Sequence, residues 1–260
     1  MSGDIKISME NVYGIIGKRL SHSFSKSYFE KKFKELDLEN YSYSNFEIAD
    51  VSDFPGLLKK NRGLKGLNVT NPYKEQIIPF LDELFDEARE IGAVNCINIE
   101  NNKLTGYNTD VYGFAQSIKP FLDTTHQKAL VLGTGGASKA VAFALKKVGV
   151  EVFFVTSGQK KKSDNYFFYG ELNEMVFNAF KLIINTTPLG MFPEVNAFPE
   201  IPYRFITSDH LCYDLIYNPE QTLFLKKGAE QGAATKNGYE MLVLQAERSW
   251  DIWNSKKIYP

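Results

Sequence analysis

Ala129-Leu130-Val131-Leu132-Gly133-Thr134-Gly135-Gly136-Ala137-Ser138-Lys139-Ala140 decides the fold class. Four apolar residues read as a buried strand, Gly133 to Ala137 as a turn, and Ser138 to Val148 as a helix. Glu151-Val152-Phe153-Phe154-Val155-Thr156 follows as a second strand, which completes a βαβ unit of roughly 30 residues. Gly133 permits a tight turn, and Gly135 lets a pyrophosphate approach the backbone at the start of a helix, where unpaired N–H groups favour an anion. The third glycine of a full Gly-x-Gly-x-x-Gly pattern is Ser138 here, so the turn alone is weak; its strand–turn–helix–strand context gives it weight.

The chain alternates in the same way on both sides of this unit. Towards the C-terminus, Leu182-Ile183-Ile184-Asn185 and Leu211-Cys212-Tyr213-Asp214 read as further strands. Towards the N-terminus the strands are Val12–Gly17, Tyr41–Glu47, Leu64–Val69, Ala93–Ile99 and Leu104–Gly106, with helices after Ser27, over Phe54–Asn61, and from Lys74 through Glu90. Gly238–Trp250 reads as a terminal helix with Leu242, Ala246, Trp250 and Trp253 along one stripe. Strands alternating with helices predict an α/β protein. The expected division is a first domain of 1–110 joined by 239–260, and a Rossmann-like dinucleotide-binding domain of 111–238.

Composition excludes several partners. A net charge of −1 with 23% charged residues gives no basic field for nucleic acid, so a small anion would be held by local donors. Cys96 and Cys212 lie in apolar surroundings and read as reduced thiols. No run reaches the roughly 18 apolar residues of a membrane span, and Met1–Glu10 carries charges without an apolar signal core. The expectation is a soluble cytoplasmic protein, monomer or homodimer, that takes a small molecule and no metal.

Two further stretches carry polar residues where chemistry is done. In Gly66-Leu67-Asn68-Val69-Thr70-Asn71-Pro72-Tyr73-Lys74 a strand ends in amide and hydroxyl groups, a proline fixes the turn, and a lysine follows. Such a lysine is either a solvated charge or a group projected into a cleft. In Gly106-Tyr107-Asn108-Thr109-Asp110-Val111-Tyr112-Gly113-Phe114 an aspartate precedes an apolar helical run, as a cap or as a partner for a cation. In His22-Ser23-Phe24-Ser25 two hydroxyls sit ahead of a helix, either as caps or as a carboxylate clasp.

Asn-Val-Thr-x-Pro-x-Lys, Gly-x-Asn-Thr-Asp-x-x-Gly-Phe and Gly-x-Gly-Gly-Ala, in this order, resemble the shikimate dehydrogenase family, and the resemblance covers nearly the whole chain. It implies a two-domain enzyme that interconverts 3-dehydroshikimate and shikimate with NADP in aromatic amino-acid biosynthesis. It also implies that Lys74 and Asp110 are the catalytic pair. Ser23 and Ser25 would hold the substrate carboxylate, Asn68, Thr70, Asn95 and Gln245 would contact carboxylate or ring hydroxyls, and Tyr217 and Gly238 would lie where nicotinamide and substrate meet. Gly133, Gly135, Gly136 and Ala137 would take the pyrophosphate. Arg19-Leu20 and Lys26 depart from the family's commoner Pro-Ile and Pro around the serine loop.

The dinucleotide is read from the end of the second strand. An NAD site places Asp or Glu there, about 20 residues on, for the ribose 2′-hydroxyl. Val155-Thr156-Ser157-Gly158-Gln159-Lys160-Lys161-Lys162 has no acid. Hydroxyls at Thr156 and Ser157 with Lys161 suit a 2′-phosphate, although the arginine of the family's Asn-Arg-Thr is missing. NADP is expected; the alternatives are a quinate/shikimate dehydrogenase using NAD or both cofactors, and a catalytically silent binding paralogue.

Overall fold

The structure is a computed structural model in which residues 11–20, 23–158 and 163–254 are described. The chain divides into two units, one running to Thr109 and resuming at Arg248, the other spanning Asp110–Glu247.

In the first unit the strands are β1 (Asn11–Gly17), β2 (Tyr41–Glu47), β3 (Leu64–Val69), β4 (Glu83–Leu84), β5 (Cys96–Glu100) and β6 (Lys103–Tyr107). They form one six-stranded sheet in the order β2-β1-β3-β5-β6-β4. β1 is parallel to β2 and β3, whereas β5 runs antiparallel to β3 and β6. The helices are α1 (Phe24–Glu35), α2 (Phe54–Lys60), α3 (Tyr73–Gln76) and α4 (Asp86–Ile91). β1 is a continuous buried run because it is covered on both faces. One face packs Ile16, Phe54, Leu67, Ile77 and Ile97, all fully buried. The other is aromatic: Phe29 stacks on Tyr43 at 4.7 Å, and Trp253 lies 4.9 Å from Tyr13.

The expected helix from Lys74 through Glu90 is broken. α3 ends at Gln76, Pro79 sits in a 3-10 turn at Ile78–Phe80, and β4 pairs with β6 before α4 begins. Proline has no N–H to continue a helix. The backbone of Asp82 and Phe85 bonds instead to Leu104 and Gly106 across the sheet.

The second unit contains α5 (Asp110–Ile118), β7 (Lys128–Leu132), α6 (Gly136–Lys147), β8 (Glu151–Thr156), β9 (Tyr166–Phe168), α7 (Glu174–Ala179), β10 (Leu182–Asn185), β11 (Leu211–Asp214), α8 (Leu223–Glu230) and β12 (Ala234–Lys236). Its sheet is parallel throughout, in the order β12-β11-β10-β7-β8-β9. The order reverses between β7 and β10, so the carboxyl ends of those strands flank a crevice. β10 and β11 are buried at every position, as central parallel strands are. His210 pins α7 to the start of β11. Its Nδ1 accepts from the Thr207 N–H at 3.0 Å, which leaves Nε2 to donate to the Phe177 carbonyl at 2.9 Å. Burial lowers the pKa of this imidazole, in keeping with the neutral form.

The last helix, α9 (Tyr239–Trp253), contributes to both units, because the division falls between Glu247 and Arg248. Ala246, Trp250 and Trp253 of the expected stripe are buried and Leu242 is half-buried; Met241, Gln245, Ser249 and Ile252 are buried as well. Cys96 and Cys212 are buried free thiols, and burial pushes each up to about 12. Among the described residues no helix is long and apolar enough to cross a membrane, and no three His, Cys, Asp or Glu side chains cluster to hold a metal.

Candidate functional site

In the first unit the polar residues singled out at the strand ends form one buried network. Asn68 closes β3 with both amide atoms engaged: Oδ1 accepts from the Tyr43 hydroxyl at 2.8 Å, and Nδ2 donates to Ser249 Oγ at 2.9 Å and to the Asn95 carbonyl at 3.3 Å. Ser25 is hydrogen-bonded to Tyr43, whose phenol burial holds well above its ordinary pKa. Asn95 is tied to Thr109, accepting from its N–H at 2.6 Å and donating to its Oγ1 at 3.0 Å. Thr109 Oγ1 lies 3.3 Å from Ser249 Oγ. Asn68, Asn95, Thr109 and Ser249 are each at most 5% exposed, so this lattice is rigid and its amides cannot rotate freely.

The two serines do not share a loop. Ser23 is the N-cap position of α1 and makes no capping bond, whereas Ser25 lies in the first helical turn, buried. Ser23 Oγ is buried with no hydrogen-bond partner among the described residues. The turn before it is held by β2: the Leu20 N–H donates to Glu47 Oε1 at 2.5 Å, and Asn45 donates to the Leu20 carbonyl at 3.0 Å. His22 lies outside the described residues.

Lys74 is half-buried near the start of α3, after the Asn71–Pro72 turn. Its carbonyl accepts from the Val94 N–H at 2.8 Å, which fixes this helical turn to the strand end beside Asn95. Thr70, half-buried, bonds through its N–H to Ile16 and through its carbonyl to Tyr73. Asp110 is 7% exposed and is the first residue of α5.

In the second unit Gly133 has φ +102°, and a Cβ there would meet Thr186 and Thr187 side-chain atoms at 3.0 Å. Gly135 is extended and caps α6, and a Cβ on it would meet nothing within 4 Å. Gly136 and Ala137 are the first two residues of the helix, so it begins two residues before the expected Ser138. Gly133, Thr134, Thr156, Ser157, Tyr169 and Thr187 are among the walls of a groove of about 970 Å³. The acid on its wall is Glu200, from the segment between β10 and β11, and the end of β8 presents hydroxyls instead. Thr156 Oγ1 accepts from the Gly158 N–H at 3.0 Å, which bends the chain there. Lys161 lies outside the described residues. An open approach at Gly135, a 12-residue helix behind it and hydroxyls in place of an acid at the carboxyl end of β8 fit a dinucleotide phosphate.

Gly238 packs its Cα on Leu215, whose carbonyl oxygen would lie 2.0 Å from an added Cβ; glycine alone fits this approach. Tyr217 is half-buried, and burial raises its phenol pKa. Gln245 is 8% exposed and donates to the Leu242 carbonyl at 2.9 Å.

Sequence reading overlooked Tyr43, Thr109 and Ser249 as members of the polar lattice. Ser249 carried a usable signal, since it follows Gln245 by one helical turn on the buried face of α9. Tyr43 carried none, because an aromatic residue at an inward strand position reads as core.

Residues 15–97 match the model of the shikimate dehydrogenase substrate binding domain. Over 97% of its length the chain is 38% identical to the shikimate dehydrogenase (NADP(+)) of Carboxydothermus hydrogenoformans, of which it covers 93%. The crystal structure of shikimate dehydrogenase 1 from Peptoclostridium difficile is 39% identical and matches with a TM-score of 0.81 over 96% of this chain and 93% of that one. The Thermus thermophilus shikimate 5-dehydrogenase in complex with NADP(H) and shikimate is 29% identical, with a TM-score of 0.81 over 94% and 93% of the two chains. By this identity across nearly its whole length, the chain belongs to the shikimate dehydrogenase family.

Proposed function

We propose that this protein is an NADP-dependent shikimate dehydrogenase that reversibly reduces 3-dehydroshikimate to shikimate. The observation that carries the reading is the buried lattice around Asn68, together with a Ser23 hydroxyl in the same unit that is buried without a partner among the described residues. A buried hydroxyl without a partner costs stability unless something binds it, and a carboxylate would accept from it. The first unit, with the end of α9, is the substrate half; the second is the dinucleotide half.

Bound NADPH supplies the hydride. The reduced ring ketone then needs a proton at its oxygen, and Lys74 gives it, taking it back in the reverse direction. Asp110 orients the lysine ammonium. Ser23 and Ser25 hold the substrate carboxylate, while Asn68, Thr70, Asn95, Gln245 and Tyr217 set the ring. Gly133, Gly135, Gly136 and Ala137 receive the pyrophosphate, Gly238 lies by the nicotinamide, and Thr156, Ser157 and Lys161 receive the 2′-phosphate. The reading supports NADP over NAD because no carboxylate at the end of β8 repels that phosphate.

The test is loss of reduced-nicotinamide absorbance with 3-dehydroshikimate, with NADPH and NADH side by side. Faster oxidation of NADPH is expected. Faster oxidation of NADH would overturn the cofactor assignment, and oxidation of neither by folded protein would overturn the activity.

A further inference from the structure

Asp214 ends β11, is fully buried, and accepts three hydrogen bonds from three different segments. Its Oδ1 accepts from Asn185 Nδ2 at 3.1 Å and from the Ile216 N–H at 3.0 Å, and its Oδ2 accepts from Thr222 Oγ1 at 2.6 Å. Asn185 ends the neighbouring strand β10 and is likewise fully buried. With its Nδ2 anchored on Asp214, Asn185 points Oδ1 into the loop that follows. There it accepts from the Thr187 N–H at 3.0 Å and from Thr187 Oγ1 at 2.7 Å, and the Leu189 N–H donates to Thr187 Oγ1 at 3.3 Å. Thr187, Pro188 and Leu189 line the same groove as Gly133 and Thr156, and Thr187 packs against Gly133.

We infer that Asp214 is a positioning residue for the dinucleotide groove: its carboxylate fixes the Asn185 amide, and through it the 187–189 wall. The inference rests on the reading of this groove as the NADPH site. An asparagine amide can turn over by 180° at little cost unless a neighbour distinguishes its oxygen from its nitrogen. Asp214 makes that distinction at the nitrogen, since an ionised carboxylate only accepts, and the Thr187 N–H makes it at the oxygen. Burial raises this carboxyl to about 6, which leaves it ionised at pH 7. Thr222 and Ile216 hold the carboxylate from the other side, so the lever has a fixed base. Gly190, at φ +99°, closes the loop back towards Thr222, and the Phe192 N–H bonds to the Asn218 carbonyl at 3.1 Å. The loops after β10 and β11 thus share one anchor.

The test is the dissociation constant for NADPH, titrated by nicotinamide fluorescence without substrate, on Asp214→Ala, Asp214→Asn, Asn185→Ala and the Asp214→Ala/Asn185→Ala double variant. Asp214→Ala and Asn185→Ala should each weaken NADPH about tenfold, the worth of one hydrogen bond. The double variant should be no weaker than Asn185→Ala, because both act through one amide. Asp214→Asn should stay within about twofold of wild type, since its oxygen can take both Oδ1 bonds while its NH2 donates to Thr222. A purely structural role would lower melting temperature or active fraction and leave the dissociation constant unmoved, and that result overturns the inference, as do additive losses in the double variant. Should Asp214→Ala fail to fold, unchanged NADPH affinity in Asn185→Ala is decisive against it. If wild type neither binds nor oxidises NADPH, the functional reading falls and the inference with it. If wild type binds and the variants match it, the inference alone falls.

Discussion

At the residue scale the proposed chemistry turns on Lys74, the residue proposed to give the proton to the ketone oxygen. Its backbone is fixed at the end of β3 by the turn at Pro72 and by the Val94 N–H on its carbonyl, so replacing the side chain leaves the turn standing. Lys74→Ala should lower kcat by about 10² to 10⁴, the usual worth of a positioned acid. The NADPH dissociation constant should change by less than about twofold. A comparable loss of cofactor affinity would place the lysine in the wrong role. The positions of Lys74 and Asp110 were legible, because each puts a charge at the start of a helix. Their setting was only partly legible: the lattice that fixes Asn68 is built from Tyr43, Thr109 and Ser249, which are 25, 41 and 181 residues away from it in sequence. No local window contains such a network.

At the scale of elements, strand spans proved easier to read than helices. β2, β3 and β8 have the expected bounds, because alternation or an unbroken apolar run defines them locally. The helix expected through Glu90 failed because Pro79 and the pairing of β4 with β6 outweighed its local pattern. β9 and β12, three residues each, are the two edges of the second sheet and are too short to show a period. α9 tests how elements lock together. Trp253 donates its indole N–H to the Ile97 carbonyl at 3.0 Å across the face of β3, where Gly66 leaves room for the ring. A Cβ on Gly66 would come within 2.2 Å of the indole nitrogen. Gly66→Ala should therefore cost about 1–3 kcal/mol in urea unfolding, through a displaced ring and a lost bond. Gly56→Ala, in α2 with nothing within 4 Å of the new atom, is the control and should be neutral or mildly stabilising. Equal effects of the two substitutions would refute the close-packing account.

For the whole molecule, two sheets with separate cores follow from the alternation of strands and helices along the chain. The charges buried within those cores do not, since burial is a property of the finished fold. Asp214 is the case with a consequence for overall stability. Its carboxyl ionises near 3.8 in an unfolded chain and is raised to about 6 in the fold, with burial the dominant cause and three hydrogen bonds opposing it. Between those two values the native state holds a proton that the unfolded state has released, so stability falls as pH rises through this window. Above about pH 7 both states are ionised and the loss is complete; it is on the order of 3 kcal/mol. His210 acts in the opposite sense, because its lowered pKa makes the neutral fold weaken as pH falls below about 6.5. That contribution is common to wild type and to Asp214→Asn, so it cancels in their difference. Urea-unfolding free energies measured at intervals from pH 4 to 7.5 should show wild type losing stability relative to Asp214→Asn as pH rises to about 7, then a plateau. A flat difference across the range would mean that the fold does not hold this carboxyl protonated, and that its three donors fully offset its burial.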